Sequence, residues 1–388
     1  MQHASTPAPA AVSALARREI WMLLAGLLSS ALLLRLWPRT AGMPWWLWLP
    51  AAALLLLAVL GLSQILLMLW ARAISRRCAD PTPAVTWPGV CDAALREARA
   101  CLSVFTFEQA FRWRDYPDSL PGGAHDSTQP PLVLIHGYVC NRGIWRRWMH
   151  ELTHRNWPYA SVNLEPVFGS IDRYLPLVDD AVARAATLGA CRTLGVESEN
   201  RPQRDQFLPD LQPNSGSIGQ KDGEKWTAAA DLQPTLPKSD RLLGSAKPWL
   251  VCHSMGGLVA RAWAAATPDA EQRIAGIVTL GTPHRGTWLS RLAYTPNGQQ
   301  MRQHSPWLQA LQRREAEQSE RLSQIPRLSV HAQTDQIVFP PATATFQAGK
   351  NWLVAGVGHV AMARDVKLLA RILTWIETRG GAKPAECR

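Results

Sequence analysis

The sequence predicts an α/β protein, a mostly parallel sheet with helices on both faces, preceded by two transmembrane helices. Three observations predict it. From residue 131 nearly to the C-terminus, short apolar, β-branched runs alternate with stretches at helical spacing, the pattern of parallel strands joined by crossover helices. One of these runs, Trp249 to Cys252, ends in His253-Ser254-Met255-Gly256-Gly257, and Leu258 to Trp263 then resumes at helical spacing. That is a strand, a sharp turn and a helix with a serine at the apex. Two long uncharged apolar segments also stand before residue 78.

Residues 1–16 are rich in Ala, Pro and Ser and are expected to carry no element. No charged residue occurs from Met43 to Ala71, a length that spans a bilayer even with Pro50 inside it. Ile20 to Leu34 is uncharged but shorter, and reaches spanning length if Arg35 snorkels to the interface beside Trp37. The expected spans are 20–37 and 45–71, joined by a tight link over Pro38 to Gly42. A cleaved signal peptide is the competing reading of the first span. No clean small-x-small site follows it and the second apolar block comes almost at once, so a hairpin within an N-terminal unit of residues 1–77 is the better account. Residues 78–130 read as a helical linker, in which Leu95, Ala98, Leu102, Phe105 and Ala110 fall roughly on one side.

Strands are expected at Leu132 to Ile135, Tyr159 to Val162, Trp249 to Cys252, Ile274 to Leu280, Arg327 to Val330 and Trp352 to Val354, within a domain over 131–378. Helices are expected at Gly143 to Trp157 and Ile171 to Leu188. A stretch at about 195–246 breaks the rhythm with Pro, Gln, Asp, Ser and Gly, and reads as a solvated insertion. Residues 379–388 form a tail.

The 388 residues carry a net charge of +11, supplied mostly by arginine with no lysine before Lys221. No basic helix or aromatic-basic sheet motif is present, so nucleic acid is not an expected partner. An anionic membrane surface accounts for the excess more cheaply. Seven scattered cysteines lack C-x-x-C or metal-ligand spacing and read as thiols in a reducing compartment. No metal or organic cofactor is expected.

A serine hydroxyl needs a histidine base, an acid that orients the base, and donors for the oxyanion. Ser254, Asp335 and His359 occur in that chain order, each just past an expected strand end. Asp269, the only other aspartate between Ser254 and His359, sits after the helix that follows the serine. The oxyanion donors are expected to be the backbone N–H groups of Met255 and Tyr138, with Gly137 allowing close approach. His136, Gly137 and Gly256 complete the site lining, and His253, His284 and His331 read as structural.

His136-Gly137, the His253-Ser254-Met255-Gly256-Gly257 turn, Thr279-Leu280-Gly281-Thr282-Pro283-His284-Arg285-Gly286-Thr287 and Gly356-Val357-Gly358-His359 together resemble the bacterial triacylglycerol lipases and esterases of the α/β-hydrolase superfamily. The resemblance implies a Ser-His-Asp hydrolase of esters or lipids, with the Gly-Thr-Pro-His loop at the site and a cap at 288–322. Cys252 departs from the usual glycine two residues before the serine, and the hairpin departs from secreted relatives. The expected protein is a multi-pass enzyme of the bacterial inner membrane with membrane lipids and an ester as partners. An acyltransferase or thioesterase with the same triad, and an inactive membrane scaffold, are the alternatives.

Overall fold

The computed structural model describes residues 11–37, 42–119, 129–193 and 247–379. The expected insertion at 195–246, most of the link after the first span and the tail beyond Arg379 lie outside the described residues. The described residues begin with two long helices packed against each other, α1 (Ala11–Leu36), which already starts within the stretch expected to carry no element, and α2 (Trp48–Arg77). Then come α3 (Trp87–Ser103), a π-helical turn at Val104–Glu108 and α4 (Gln109–Phe111).

Among the described residues the sheet has six strands, all parallel, in the order β2-β1-β3-β4-β5-β6. They are β1 (Leu132–Ile135), β2 (Tyr159–Val162), β3 (Trp249–His253), β4 (Gly276–Leu280), β5 (Arg327–Ala332) and β6 (Lys350–Val354). These match the expected runs to within two residues at each end. Between them lie α5 (Arg146–His154), α6 (Leu175–Thr193), α7 (Met255–Ala266), α8 (Ala270–Arg273), α9 (Pro296–Gln300), α10 (Pro306–Glu317) and α11 (Ser319–Ser323). After β6 come α12 (His359–Met362) and α13 (Val366–Arg379).

Side chains alternate across a strand, so a sheet covered on both faces needs apolar residues at every position. β1 shows this directly. Leu132 and Leu134 join one core with Trp145, Trp148 and Ile372, while Val133 and Ile135 join the other with Val178, Leu258 and Trp263. Helix α7 is buried along almost its whole length, which its nearly all-apolar sequence requires. Its exception, Arg261, is buried because its guanidinium meets Glu315 of α10 at 2.5 Å and donates to the His284 carbonyl at 2.9 Å.

The segment read as a linker is helical, and its buried stripe coincides with the expected one only in part: Ala110 is buried and Phe105 packs against the core. Val90, Ala93, Ala94, Glu97, Ala100 and Val104 are buried, whereas Leu95 is 49% exposed. The small alanines let α3 approach its neighbours closely, so the stripe that carries the contacts is not the one with the largest apolar residues.

Helix α2 runs directly onto this body. Met68 packs with Val90 and Ala94, and Ala71 and Ile74 pack on Phe339. The Trp70 ring meets Trp288 and Phe339 edge-on at 5.0 and 5.5 Å. The distal parts of both long helices instead expose Trp21, Leu28, Leu32, Leu49, Leu54 and Leu62. Both helices are long and apolar enough to cross a membrane, over Ser13–Leu36 and Trp48–Arg77.

Candidate active site

Ser254 stands between the last residue of β3 and the first of α7, with φ 54° and ψ −125°. A side chain at positive φ costs of order 1–3 kcal/mol and persists only where its surroundings hold it. Here the Ser254 N–H donates to the Leu280 carbonyl at 2.8 Å and its carbonyl accepts from the Gly257 N–H at 3.1 Å. The turn also requires close backbone approach. A Cβ on Gly256 would lie 2.5 Å from the Ile135 carbonyl oxygen, and one on Gly257 would collide with Thr282. Position 252 faces no such limit, because the Cys252 side chain is buried in the α7-side core. The glycine after the serine is therefore obligatory and the one before it is dispensable.

Asp335 and His359 follow the C-terminal ends of β5 and β6, on the sheet edge where Ser254 follows β3. Ligands bind at this edge in parallel α/β sheets. The His359 Nδ1–H donates to Asp335 Oδ2 at 2.9 Å, which leaves Nε2 with the ring's lone pair. Asp335 Oδ1 accepts from the Ile337 and Val338 N–H groups at 2.9 and 2.7 Å, so the whole carboxylate is fixed. Burial disfavours a charged His359 ring, but the negative charge and hydrogen bond of Asp335, with the charge of Glu97, outweigh it and raise its pKa above the ordinary value.

Gly281, in the Gly-Thr-Pro-His loop, closes the cluster. At φ +56° it runs so near the pair that an added Cβ would be 3.0 Å from both Asp335 Oδ2 and His359 Nδ1. Behind it the His253 Nε2–H donates to the His359 carbonyl at 3.0 Å, and the two rings lie 4.6 Å apart. Burial holds the His253 pKa well below the ordinary value, so this ring is a neutral brace.

The loop after β1 crosses the elbow. A Cβ on Gly137 would lie 2.7 Å from that of Ser254, which explains the glycine. Both nitrogens of the buried His136 ring hold this loop, since Nδ1–H donates to the Gly137 carbonyl and Nε2 accepts from the Leu164 N–H, each at 2.9 Å. Burial, against the Gly137 hydrogen bond, brings its pKa down to about 4. The Tyr138 hydroxyl reaches Thr295 Oγ1 at 2.9 Å, tying this loop to the 288–322 segment. That segment is a short 3-10 turn followed by α9, α10 and α11. It is fastened down by Asn297 Nδ2 on the Val167 carbonyl at 2.8 Å and Trp307 Nε1 on Asp172 at 2.8 Å.

The structure thus gathers Ser254, Met255, Gly256, Gly137, Tyr138, Asp335 and His359 at one end of the sheet. The sequence reading placed the Gly281 loop near the site through the resemblance and missed Glu97 and Gln336, which nothing local marks: the Glu97 carboxylate accepts from Gln336 Nε2 at 2.6 Å, and Gln336 Oε1 accepts from the His359 N–H at 3.3 Å.

Residues 244–353 match a family model described as a PGAP1-like alpha/beta domain. No curated protein matches the chain. Among solved structures, a Bacillus licheniformis lipase in its mature form superposes with a TM-score of 0.45 at 12% identity, covering 66% of this chain and 95% of that one. Aspergillus fumigatus lipase B gives 0.40 at 14% identity, covering 61% and 47%. A soluble variant of Saccharomyces cerevisiae monoglyceride lipase gives 0.35 at 13%, covering 68% and 90%. The fold assignment stands on this chain's own strand order and on the serine turn at the end of β3. By these features the chain has the α/β-hydrolase fold, and its stretch from 244 to 353 is similar to a PGAP1-like alpha/beta domain.

Proposed function

We propose that the protein is a membrane-anchored serine ester hydrolase of lipase or esterase type. The observation that carries this reading is the buried Asp335–His359 pair closed over Gly281 at the sheet end where Ser254 occupies a strained turn. In the proposed reaction Ser254 Oγ attacks the acyl carbonyl while His359 Nε2 takes the hydroxyl proton. Asp335 stays ionised and stabilises the imidazolium. The N–H groups of Met255 and Tyr138 receive the oxyanion. His359 returns the proton to the leaving alkoxide, and a water activated by the same nitrogen hydrolyses the acyl-enzyme. The resemblance of the serine turn and the Gly-Thr-Pro-His loop to those of lipases and esterases suggests ester or lipid substrates.

Labelling of the purified protein by a fluorophosphonate, with turnover of a p-nitrophenyl ester series, tests the reading. Covalent labelling with ester turnover is expected, and absence of both would leave an inactive scaffold. Acyl transfer to an added alcohol in preference to water, or hydrolysis confined to acyl-thioesters, would move the chemistry to an acyltransferase or a thioesterase.

The anchor is proposed from α1 and α2, whose exposed leucines and tryptophans have no cover in the protein. A signal peptide would be removed, yet α1 packs along α2 and against α4. Arg17 and Arg18 lie in the first turns of α1, and Arg72, Arg76 and Arg77 lie at the end of α2. The positive-inside rule therefore puts both termini and the catalytic body on the cytoplasmic face. C-terminal fusions to alkaline phosphatase and to a fluorescent protein that matures only in the cytoplasm check this. A bright fluorophore with silent phosphatase is expected, and the reverse would invert the orientation.

A further inference from the structure

Glu97 is fully buried, lies outside the catalytic loops and belongs to the helix that follows the long hairpin. Its Oε1 accepts from the Val360 N–H at 2.9 Å and from Gln336 Nε2 at 2.6 Å, and its Oε2 accepts from the Ala361 N–H at 2.9 Å. The Gln336 side chain continues the contact, since its Oε1 accepts from the His359 N–H at 3.3 Å. The carboxylate therefore grips the first turn of the short helix that His359 opens. Gly358 makes room for it, because a Cβ there would lie 2.5 Å from Glu97 Oε2. One turn on, Glu108 pairs with Arg364, so the same helical segment holds both ends of α12.

We propose that Glu97 is a positioning residue for His359: its carboxylate fixes the turn that carries the imidazole and adds a second negative charge to that of Asp335 beside the imidazolium. The inference rests on the esterase reading above. A clamp alone needs hydrogen-bond acceptors and no charge. A buried carboxylate is retained at a desolvation cost unless a charge or several donors compensate it. The cation acting on Glu97 is His359. The other groups around it are the Cys101 thiol on its own helix, 3.8 Å from Oε1, and Gln336, which also meets Gln64 of α2 at 3.3 Å. Around His359 stand Asp335 from beyond β5 and the neutral His253 ring from β3. Burial raises the pKa of Glu97, against the pull of three hydrogen bonds and the charge of His359. In return the charge of Glu97 raises that of His359, after the larger effects of burial and Asp335.

The test is the pH profile of kcat/KM for a short p-nitrophenyl ester in the full-length protein and in Glu97→Gln. Deprotonated His359 is the base, so activity rises with pH through its pKa. Removing a negative charge lowers that pKa, and the acid limb should move down by about one unit. One unit is a tenfold loss of imidazolium stabilisation, so kcat should fall about tenfold at the plateau with KM unchanged. An unmoved limb, with any loss explained by a lower Tm, would reduce Glu97 to a structural clamp and overturn the proposal. If Glu97→Gln does not fold, Glu97→Asp is read instead. It keeps the charge one methylene farther from the turn, so a limb displaced down by less than a unit supports the proposal and an unmoved one overturns it. Failure of the parent protein to label or turn over would sink the esterase reading itself. An active parent with an unmoved limb would sink this inference alone.

Discussion

Ser254→Ala is expected to abolish ester hydrolysis and fluorophosphonate labelling while leaving the thermal transition nearly unchanged or slightly raised. The side chain sits at the apex of the turn and adds little to packing. The strain it bears is backbone strain set by the Leu280 and Gly257 hydrogen bonds, which alanine retains. Loss of a serine nucleophile costs about 10⁶ in kcat where a triad acts as a unit. Rates would be followed with a p-nitrophenyl ester and stability by circular dichroism. Parental turnover by the alanine variant would remove Ser254 from the mechanism.

Asp335→Asn should lower kcat by about 10⁴ with a much smaller effect on stability. An asparagine in the same rotamer keeps an oxygen for the Ile337 and Val338 N–H groups, so the loop survives. Its amide then faces His359 Nδ1 and favours the tautomer with the proton on Nε2, which cannot accept one from Ser254. Asp269→Asn is the control, since that side chain makes no capping hydrogen bond at the start of α8. It should leave kcat within a factor of about two and the stability within about 0.5 kcal/mol. A larger loss from Asp269→Asn than from Asp335→Asn would relocate the acid.

The parts of the fold that were legible are those written in local patterns. The inner strands were visible because a doubly covered strand is mostly apolar, as Leu132 to Ile135 shows, whereas the edge strand β6 showed only its Trp352 to Val354 end, since Lys350 and Asn351 are exposed. Ser254, Asp335 and His359 could be proposed from the sequence because each stands within five residues of the end of a strand. The supporting contacts were not, since they join residues far apart in sequence. Glu97 meets Val360 and Ala361 across more than 260 positions, and its helix hides the contact behind alanines while Leu95 advertises the wrong face. Cys252 looked like a defect in the turn because the motif does not say which of its two glycines meets a carbonyl. Only Gly256 does.

The length of α2 bears on how the enzyme would meet its substrate. Thirty helical residues rise about 45 Å, whereas a hydrocarbon core is about 30 Å thick. The surplus is the stretch from Met68 onward that docks on Val90, Trp288 and Phe339. On the proposed reading, a catalytic body carried on an unbroken rod would have no leash and would not swing out to micelles or particles in bulk solution. Its turnover would then follow the mole fraction of substrate in its own bilayer, and diluting that bilayer with an inert lipid would slow it even at constant total substrate.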